Sequence, residues 1–210
     1  MIISIDGPAG SGKSTIAKLL AKRLSFIHFN SGSIFRAITA YLLENNKNVD
    51  LLKNINVKVK IEDNNQYVFV NDIDYTPILR NNEISTNVAE ISTIPEVQFS
   101  AQKIVKEFCS THNVVIDGRG LGNEVLKDAE FKFYLDCSVH VRAQRRFLEE
   151  QLKGTKITLP EIENQLKIRD KLDKEREIAP LVVPENAIVI DSTNLSIEEI
   201  VNLMLSYIKI

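Results

Sequence analysis

The sequence is poor in residues that build cross-links and metal clusters. It has two cysteines, Cys109 and Cys137, and three histidines among 210 residues. The cysteines lack C-x-x-C spacing and have no histidine cluster beside them, which excludes a disulfide framework and argues against structural zinc. Both are expected to sit as small buried hydrophobes, as suits a reducing cytoplasmic setting. There is no excess of positive charge. The formal net charge is −2, so no general basic field awaits nucleic acid. No apolar run is long enough to span a bilayer, so no membrane partner is expected. The first residues lack a basic stretch and a cleavage site, so their apolar character reads as a strand and not a signal peptide. Glycine is scarce too, with eight residues, three of them within Gly7–Gly12.

What remains is ordinary for a globular protein: 44% hydrophobic and 26% charged residues, enough for one domain with a small insertion. The glycines mark its centre. Gly7-Pro8-Ala9-Gly10-Ser11-Gly12-Lys13-Ser14, followed by Thr15, fits G-x-x-x-x-G-K-[ST]. Before it, Ile2-Ile3-Ser4-Ile5 reads as a buried strand; after it, apolar residues at 16, 19, 20 and 24 recur at helical spacing. Strand, glycine turn and helix form a phosphate cradle. Glycines allow the backbone close to a ligand, and a helix N-terminus favours an anion. Lys13 supplies charge for the β- and γ-phosphates, and Ser14 a hydroxyl for Mg²⁺.

Along the chain, Phe26–Phe29 reads as a second strand, with His28 a satisfied neighbour of the sheet. Ser31 or Ser33 is expected to cap a helix from Ile34 to Asn45. Arg36 near that start is an odd cation unless a phosphate lies there. Residues 45–56 are Asn-rich and read as a linker. Val57–Ile61 and Tyr67–Val70 alternate with period two around the turn signal Asp63-Asn64-Asn65, with a third short strand near Ile73–Tyr75. Helices are expected over Asn82–Thr93 and from Pro95 to Cys109. Val114–Ile116 is a buried strand ending at Asp117, placed to hold Mg²⁺ or its water shell, and Gly118-Arg119-Gly120 follows. Phe131–Leu135 is a further strand. Val139–Lys153 is helical, with Arg142, Arg145 and Arg146 on one face. Leu159–Arg176 is a charged helix with Ile168, Leu172 and Ile178 as its apolar anchors. Ala187–Ile190 is the last strand, and Ser196 with Glu199 forms a capping box.

The fold class is therefore α/β: a P-loop NTPase fold with a five-stranded parallel sheet flanked by helices, a small antiparallel β insertion and a helical lid. The core takes residues 1–45, 82–138 and 179–210, the insertion 57–81 and the lid 139–178. Ligands gather at the carboxyl ends of the strands in such sheets, where Gly7–Thr15, Ser31, Arg36, Asp117, Arg119 and Asp191 all fall. Six of the nine arginines follow position 118, and arginine suits bidentate phosphate contacts.

Four blocks carry a resemblance to the bacterial cytidylate kinase family over nearly the whole chain: Ile5–Thr15, Ser31-Gly32-Ser33-Ile34-Phe35-Arg36, Ile116-Asp117-Gly118-Arg119, and Arg169-Asp170 with Asp173, Arg176 and Ala179-Pro180-Leu181, followed by Ile190–Thr193. The resemblance implies ATP and Mg²⁺ as cofactors and CMP or dCMP as phosphoryl acceptor, with the insertion as monophosphate-binding domain. It implies that Gly7–Thr15 and Arg145 hold ATP, and that Ser14 and Asp117 serve the metal. Ser31 and Asp173 would touch the acceptor's sugar. Arg36, Arg119 and Arg176 would grip its phosphate, and Lys13, Arg119 and Arg176 would act in catalysis. A monomer acting on small molecules is expected. The family's DGRD reads Asp117-Gly118-Arg119-Gly120 here, and two further base-reading positions fall at Ala89 and Gln98. Gln98 is still able to donate and accept toward the base. A family lid arginine falls at Leu172. These departures leave open an altered acceptor such as UMP. A GTP-driven switch is the remaining alternative, since Asp117–Gly120 satisfies D-x-x-G, but the chain has no N-K-x-D.

Overall fold

The computed structural model describes residues 1–209. In chain order the elements are β1 (Ile2–Asp6), α1 (Lys13–Leu24), β2 (Ile27–Asn30), α2 (Ser31–Glu44), β3 (Val57–Glu62), β4 (Asn65–Val70), β5 (Ile73–Asp74), α3 (Asn82–Ile91), α4 (Pro95–Cys109), β6 (Val114–Gly118), β7 (Phe131–Asp136), α5 (Val139–Leu152), α6 (Leu159–Glu175), β8 (Ile188–Asp191) and α7 (Ile197–Tyr207). The main sheet runs β2-β6-β1-β7-β8 with every pairing parallel. Both of its faces are covered, which is why its strands read as apolar runs. Register sets Ile3 beside Val115, and these pack with Ile16 and Leu20 of α1 and Val201 and Met204 of α7. The other face takes Val114, Ile116 and Phe29 against Ile34 and Ile38 of α2 and Val97 and Ala101 of α4.

The three-stranded insertion is β3-β4-β5, antiparallel. Pairing of Glu62 with Asn65 and of Val70 with Ile73 leaves two-residue loops, Asp63-Asn64 and Asn71-Asp72, all four residues at positive φ. These are the left-handed turns that match strand twist, and Asn and Asp tolerate them. Val68 and Val70 of β4 face Ala37 and Ala40 of α2, so the insertion leans on the helix that follows β2.

Several expectations are corrected. The Asn-rich linker contains a 3₁₀ turn at Val49–Asn54. Asn30, not Ser31 or Ser33, caps α2: its side chain accepts from the Ser33 amide. The lid helices close on Ala143, Ile162 and Leu166. Ile168 is 54% exposed and Ile178 packs on the main core. Leu159, Ile162 and Leu166 form one helical stripe, and Ile168 lies off it. Burying Ile162 and Leu166 contributes about 2–3 kcal/mol each, little against the entropy of ordering two helices. The lid therefore depends on its polar contacts with the core. Cys109 and Cys137 are buried and unbonded, as expected, and burial pushes the Cys109 thiol up to about 12.

Candidate active site

The glycine turn hangs from β1, the central strand. Gly7 has φ +150°, and a Cβ there would lie 2.3 Å from the carbonyl oxygen of Leu135 on β7, so the close approach of β7 admits no side chain. Gly12 is the left-handed N-cap of α1 and offers no capping group, and no acidic residue occupies the first turn. The first amides of α1 lack helical partners and the dipole is uncompensated, which is the condition for anion binding. Lys13 is buried and folds back on the turn, donating to the Pro8 carbonyl at 2.6 Å and the Ser11 hydroxyl at 3.3 Å. Burial and then the nearby Arg119 lower its pKa to about 7, against the pull of Asp117, Asp173 and Asp6.

Asp6 underpins the turn. Its fully buried carboxylate accepts from the amides of Leu121 and Gly122 at 2.9 and 2.8 Å. Burial pushes its pKa up; the two amides, Lys13 and Arg176 oppose that shift. Beside it, Ser14 Oγ donates to Asp117 Oδ2 at 2.6 Å. Asn30 Nδ2 lies 3.0 Å from Ser14 Oγ and 3.0 and 3.2 Å from the two Asp117 oxygens. His28 Nε2 is 2.8 Å from Asp117 Oδ1, in accord with its reading as a satisfied residue.

Among the described residues no group of three or more His, Cys, Asp or Glu could hold a metal. The donors present nevertheless suit Mg²⁺, which keeps several waters and takes one or two protein oxygens plus phosphates. Neighbouring ligands of an octahedral ion with bonds of 2.0–2.1 Å lie about 2.9 Å apart, near the Ser14–Asp117 separation.

Across the cavity stand the arginines. Arg36 Nη1 donates to the Leu79 carbonyl at 3.1 Å and the Ser85 hydroxyl at 2.9 Å. Burial, then repulsion from Arg119, Arg80 and Arg146, lowers its pKa. Asp173 gathers three more. Arg119 Nε and Arg169 Nε each lie 3.0 Å from its Oδ2, and Arg176 Nη1 lies 3.6 Å from its Oδ1. Burial alone would raise the Asp173 pKa, but Arg119, Arg169 and Arg176 outweigh it and hold the carboxyl below its usual range. Its Oδ1 is buried without a hydrogen-bond partner. Burial and Arg119 lower Arg169 to about 10, so it keeps its charge at neutral pH.

One cavity of about 670 Å³ joins these groups, a volume typical of a small-molecule site. It brings together Gly10, Ser11, Gly12, Lys13, Ser14, Thr15, Ser31, Arg36, Asp117, Arg119, Arg145 and Arg176. Ser31 Oγ also donates to the Asp117 carbonyl at 2.8 Å. Gly7, Pro8 and Ala9 do not line it. They back the turn, with Pro8 and Ala9 carbonyls accepting from Lys13 and Arg142. Asp173 sits behind the arginines. Gln98 is buried, does not line the cavity, and donates Nε2 to the Ser92 carbonyl at 2.5 Å. Lining residues to which the sequence assigns no site role include Asn30, Phe35, Arg169 and the apolar trio Leu195, Ile197 and Ile200. Gly120 has φ +75°, and a Cβ there would meet the Ala179 carbonyl oxygen at 2.2 Å. Arg176 holds that loop in place, donating to the Ala179 and Arg119 carbonyls at 2.8 and 2.6 Å.

The model of the family described as cytidylate kinase matches residues 3–210. The chain belongs to the cytidylate kinase family. A cytidylate kinase of Caldicellulosiruptor bescii is 42% identical over 97% of this chain and 93% of the relative. One of Carboxydothermus hydrogenoformans is 40% identical over 99% and 97%, and one of Thermotoga maritima 37% over 99% and 96%. Solved structures similar in fold alone include an uncharacterized protein from Eubacterium ventriosum (TM-score 0.55, 14% identity, 99% of this chain and 97% of that one) and a shikimate kinase from Bacteroides thetaiotaomicron (0.52, 13%, with the same coverage). Membership makes the chain a kinase, which sets aside the reading as a GTP-driven switch.

Proposed function

We propose that the chain transfers the γ-phosphoryl group of ATP to CMP or dCMP, giving ADP and CDP or dCDP. The observation that carries this is the single cavity in which the glycine turn and Lys13 face Arg36, Arg119, Arg169 and Arg176. One anion needs the first set; a second anion explains the other. In the reaction the bond from the β,γ-bridging oxygen to the γ-phosphorus breaks, and an oxygen of the acceptor's phosphate bonds that phosphorus. Positioning and charge neutralisation supply most of the catalysis. The turn and the first amides of α1 hold the ATP phosphates, and Arg145 and the apolar trio at 195, 197 and 200 flank the nucleoside end. Arg36, Arg119 and Arg176 orient the acceptor phosphate; Lys13 and the arginines meet charge developing at the transferred group. Ser31 lines the cavity and suits a sugar hydroxyl; Asp173, buried behind the arginines with its Oδ1 unpartnered, would reach the sugar once those arginines turn to the acceptor phosphate. Mg²⁺, held through Ser14 and Asp117, would neutralise phosphate charge.

UMP is a second acceptor. The base end of the cavity meets Phe35, Val88 and Ser92; Gln98 has its amide engaged elsewhere, and position 120 carries no side chain. A pocket with few polar readers discriminates weakly between pyrimidines. Coupled ADP release with CMP, dCMP, UMP and AMP is the test. Turnover with CMP and dCMP, and slower turnover with UMP, is expected; no stimulation by any pyrimidine monophosphate overturns the proposal. The chain is further proposed to act as a monomer, which light scattering would check.

A further inference from the structure

A contact that no part of this mechanism uses joins the antiparallel insertion to the metal end of the cavity. Period two along β4 sets Gln66 on the face that carries Val68 and Val70, and those valines pack on α2. Gln66 thus reaches the start of α2, where β2 ends. It engages Asn30 on both sides of the main chain. Its Oε1 accepts from the Asn30 amide at 2.7 Å, and its Nε2 donates to the Asn30 carbonyl at 3.1 Å and to Ser33 Oγ at 2.5 Å. A glutamine amide presents one acceptor and two donors, and here each kind is used. Asn30 is equally committed. Its Oδ1 caps α2 through the Ser33 amide, and its Nδ2 lies within 3.2 Å of Ser14 Oγ and both Asp117 oxygens. A donor so placed, together with His28 on Asp117 Oδ1, constrains the directions in which the hydroxyl and the carboxylate point.

We propose that Gln66 is a positioning residue for the divalent-cation site: through Asn30 it sets Ser14 and Asp117, so that the seating of the insertion and the assembly of the metal ligands are one event. The inference rests on the reading of Ser14 and Asp117 as the metal's ligands. Neither Asn30 nor Gln66 needs to touch the cation or the transferred group. The contacts are confined to the main chain of Asn30 and the Ser33 hydroxyl, so their loss should spare the folding of the main sheet, whose pairing lies elsewhere.

The test is the metal-dependent gain in affinity for a non-hydrolysable ATP analogue, taken from calorimetric Kd values in Mn²⁺ and in EDTA. Gln66→Met keeps the bulk and removes the hydrogen bonds. It is expected to cut the gain roughly threefold to tenfold, as the loss of one or two net hydrogen bonds would, while leaving Kd in EDTA unchanged. In an Asn30→Ala background Gln66→Met should have no further effect, because the two act in series. An unchanged gain in Gln66→Met, or an equal loss in both backgrounds, overturns the proposal. Asp117→Asn separates the two levels: if it leaves the gain intact, the placement of the metal is wrong and not only the part assigned to Gln66.

Discussion

Lys13 illustrates what a residue gives up to be in a phosphate site. It is buried beside Arg119, and its pKa falls from 10.5 to about 7. The unfolded chain therefore binds more protons between those values, so stability rises with pH across that window and the buried cation weighs against folding at neutral pH and below. Lys13→Met is expected to raise Tm at pH 7, by ~2–4 °C for each kcal/mol relieved, while kcat falls by roughly 10²–10³ or more. Thermal unfolding and the coupled assay check both. The same depression links binding to protons. ATP phosphates should restore the Lys13 charge, so at pH 8 calorimetry in buffers of different ionisation enthalpy should report proton uptake. The glycine turn was legible because residue type encodes it: few residues other than glycine take the backbone angles of positions 7, 10 and 12. The sequence leaves the cap of α2 undecided, since Asn30, Ser31 and Ser33 all offer capping side chains within four residues and only the end of β2 chooses Asn30. Asp6 was overlooked because its partners, Leu121 and Gly122, lie far along the chain.

At the scale of elements, the lid is two helices with a small core of their own, and Arg142 both joins them and ties them to the glycine turn. Arg142 is buried; its Nη2 lies 2.5 Å from Asp170 Oδ2 on α6, and its Nη1 donates to the Ala9 carbonyl at 2.8 Å. The sequence sets it with Arg145 and Arg146 on one helix face, and spacing reveals the face and not what covers it. Breaking a buried pair by removing one partner costs about 3–5 kcal/mol. Arg142→Leu should loosen α5 and α6, speed protease cleavage in 154–158 severalfold and raise KM for ATP more than KM for the acceptor. Limited proteolysis and steady-state kinetics check this. Parallel strands and helices were placed to within a few residues, since their apolar periods are strong. Position 66 gives no such sign: a glutamine just ahead of the alternating Tyr67–Val70 acquires its meaning only when β4 begins at Asn65 and lies along α2.

At the scale of the whole molecule, core, lid and cavity meet at Asp173. Its folded pKa lies below 3.8, so its contribution to stability is complete above that value and is lost as pH falls through the lower, folded one. Asp173→Asn should lower Tm at neutral pH, because Arg119, Arg169 and Arg176 then converge without a counter-charge. The Tm gap between wild type and variant should narrow as the pH is taken below about 3.8, which a pH series of melting curves would reveal. A neutral-pH gap that persists unchanged in acid would assign the loss to packing instead.

The two sulfhydryls, sealed in the interior, have a practical corollary. With Cys109 held up at about 12 and Cys137 only 4% exposed, maleimide reagents should pass over both in the folded protein. A reporter pair introduced at Leu152 on the lid and Ile73 on the insertion, which are 91% and 63% exposed, can then be labelled on the wild-type background. Distances between the two arms become measurable by fluorescence transfer while nucleotides are added one at a time.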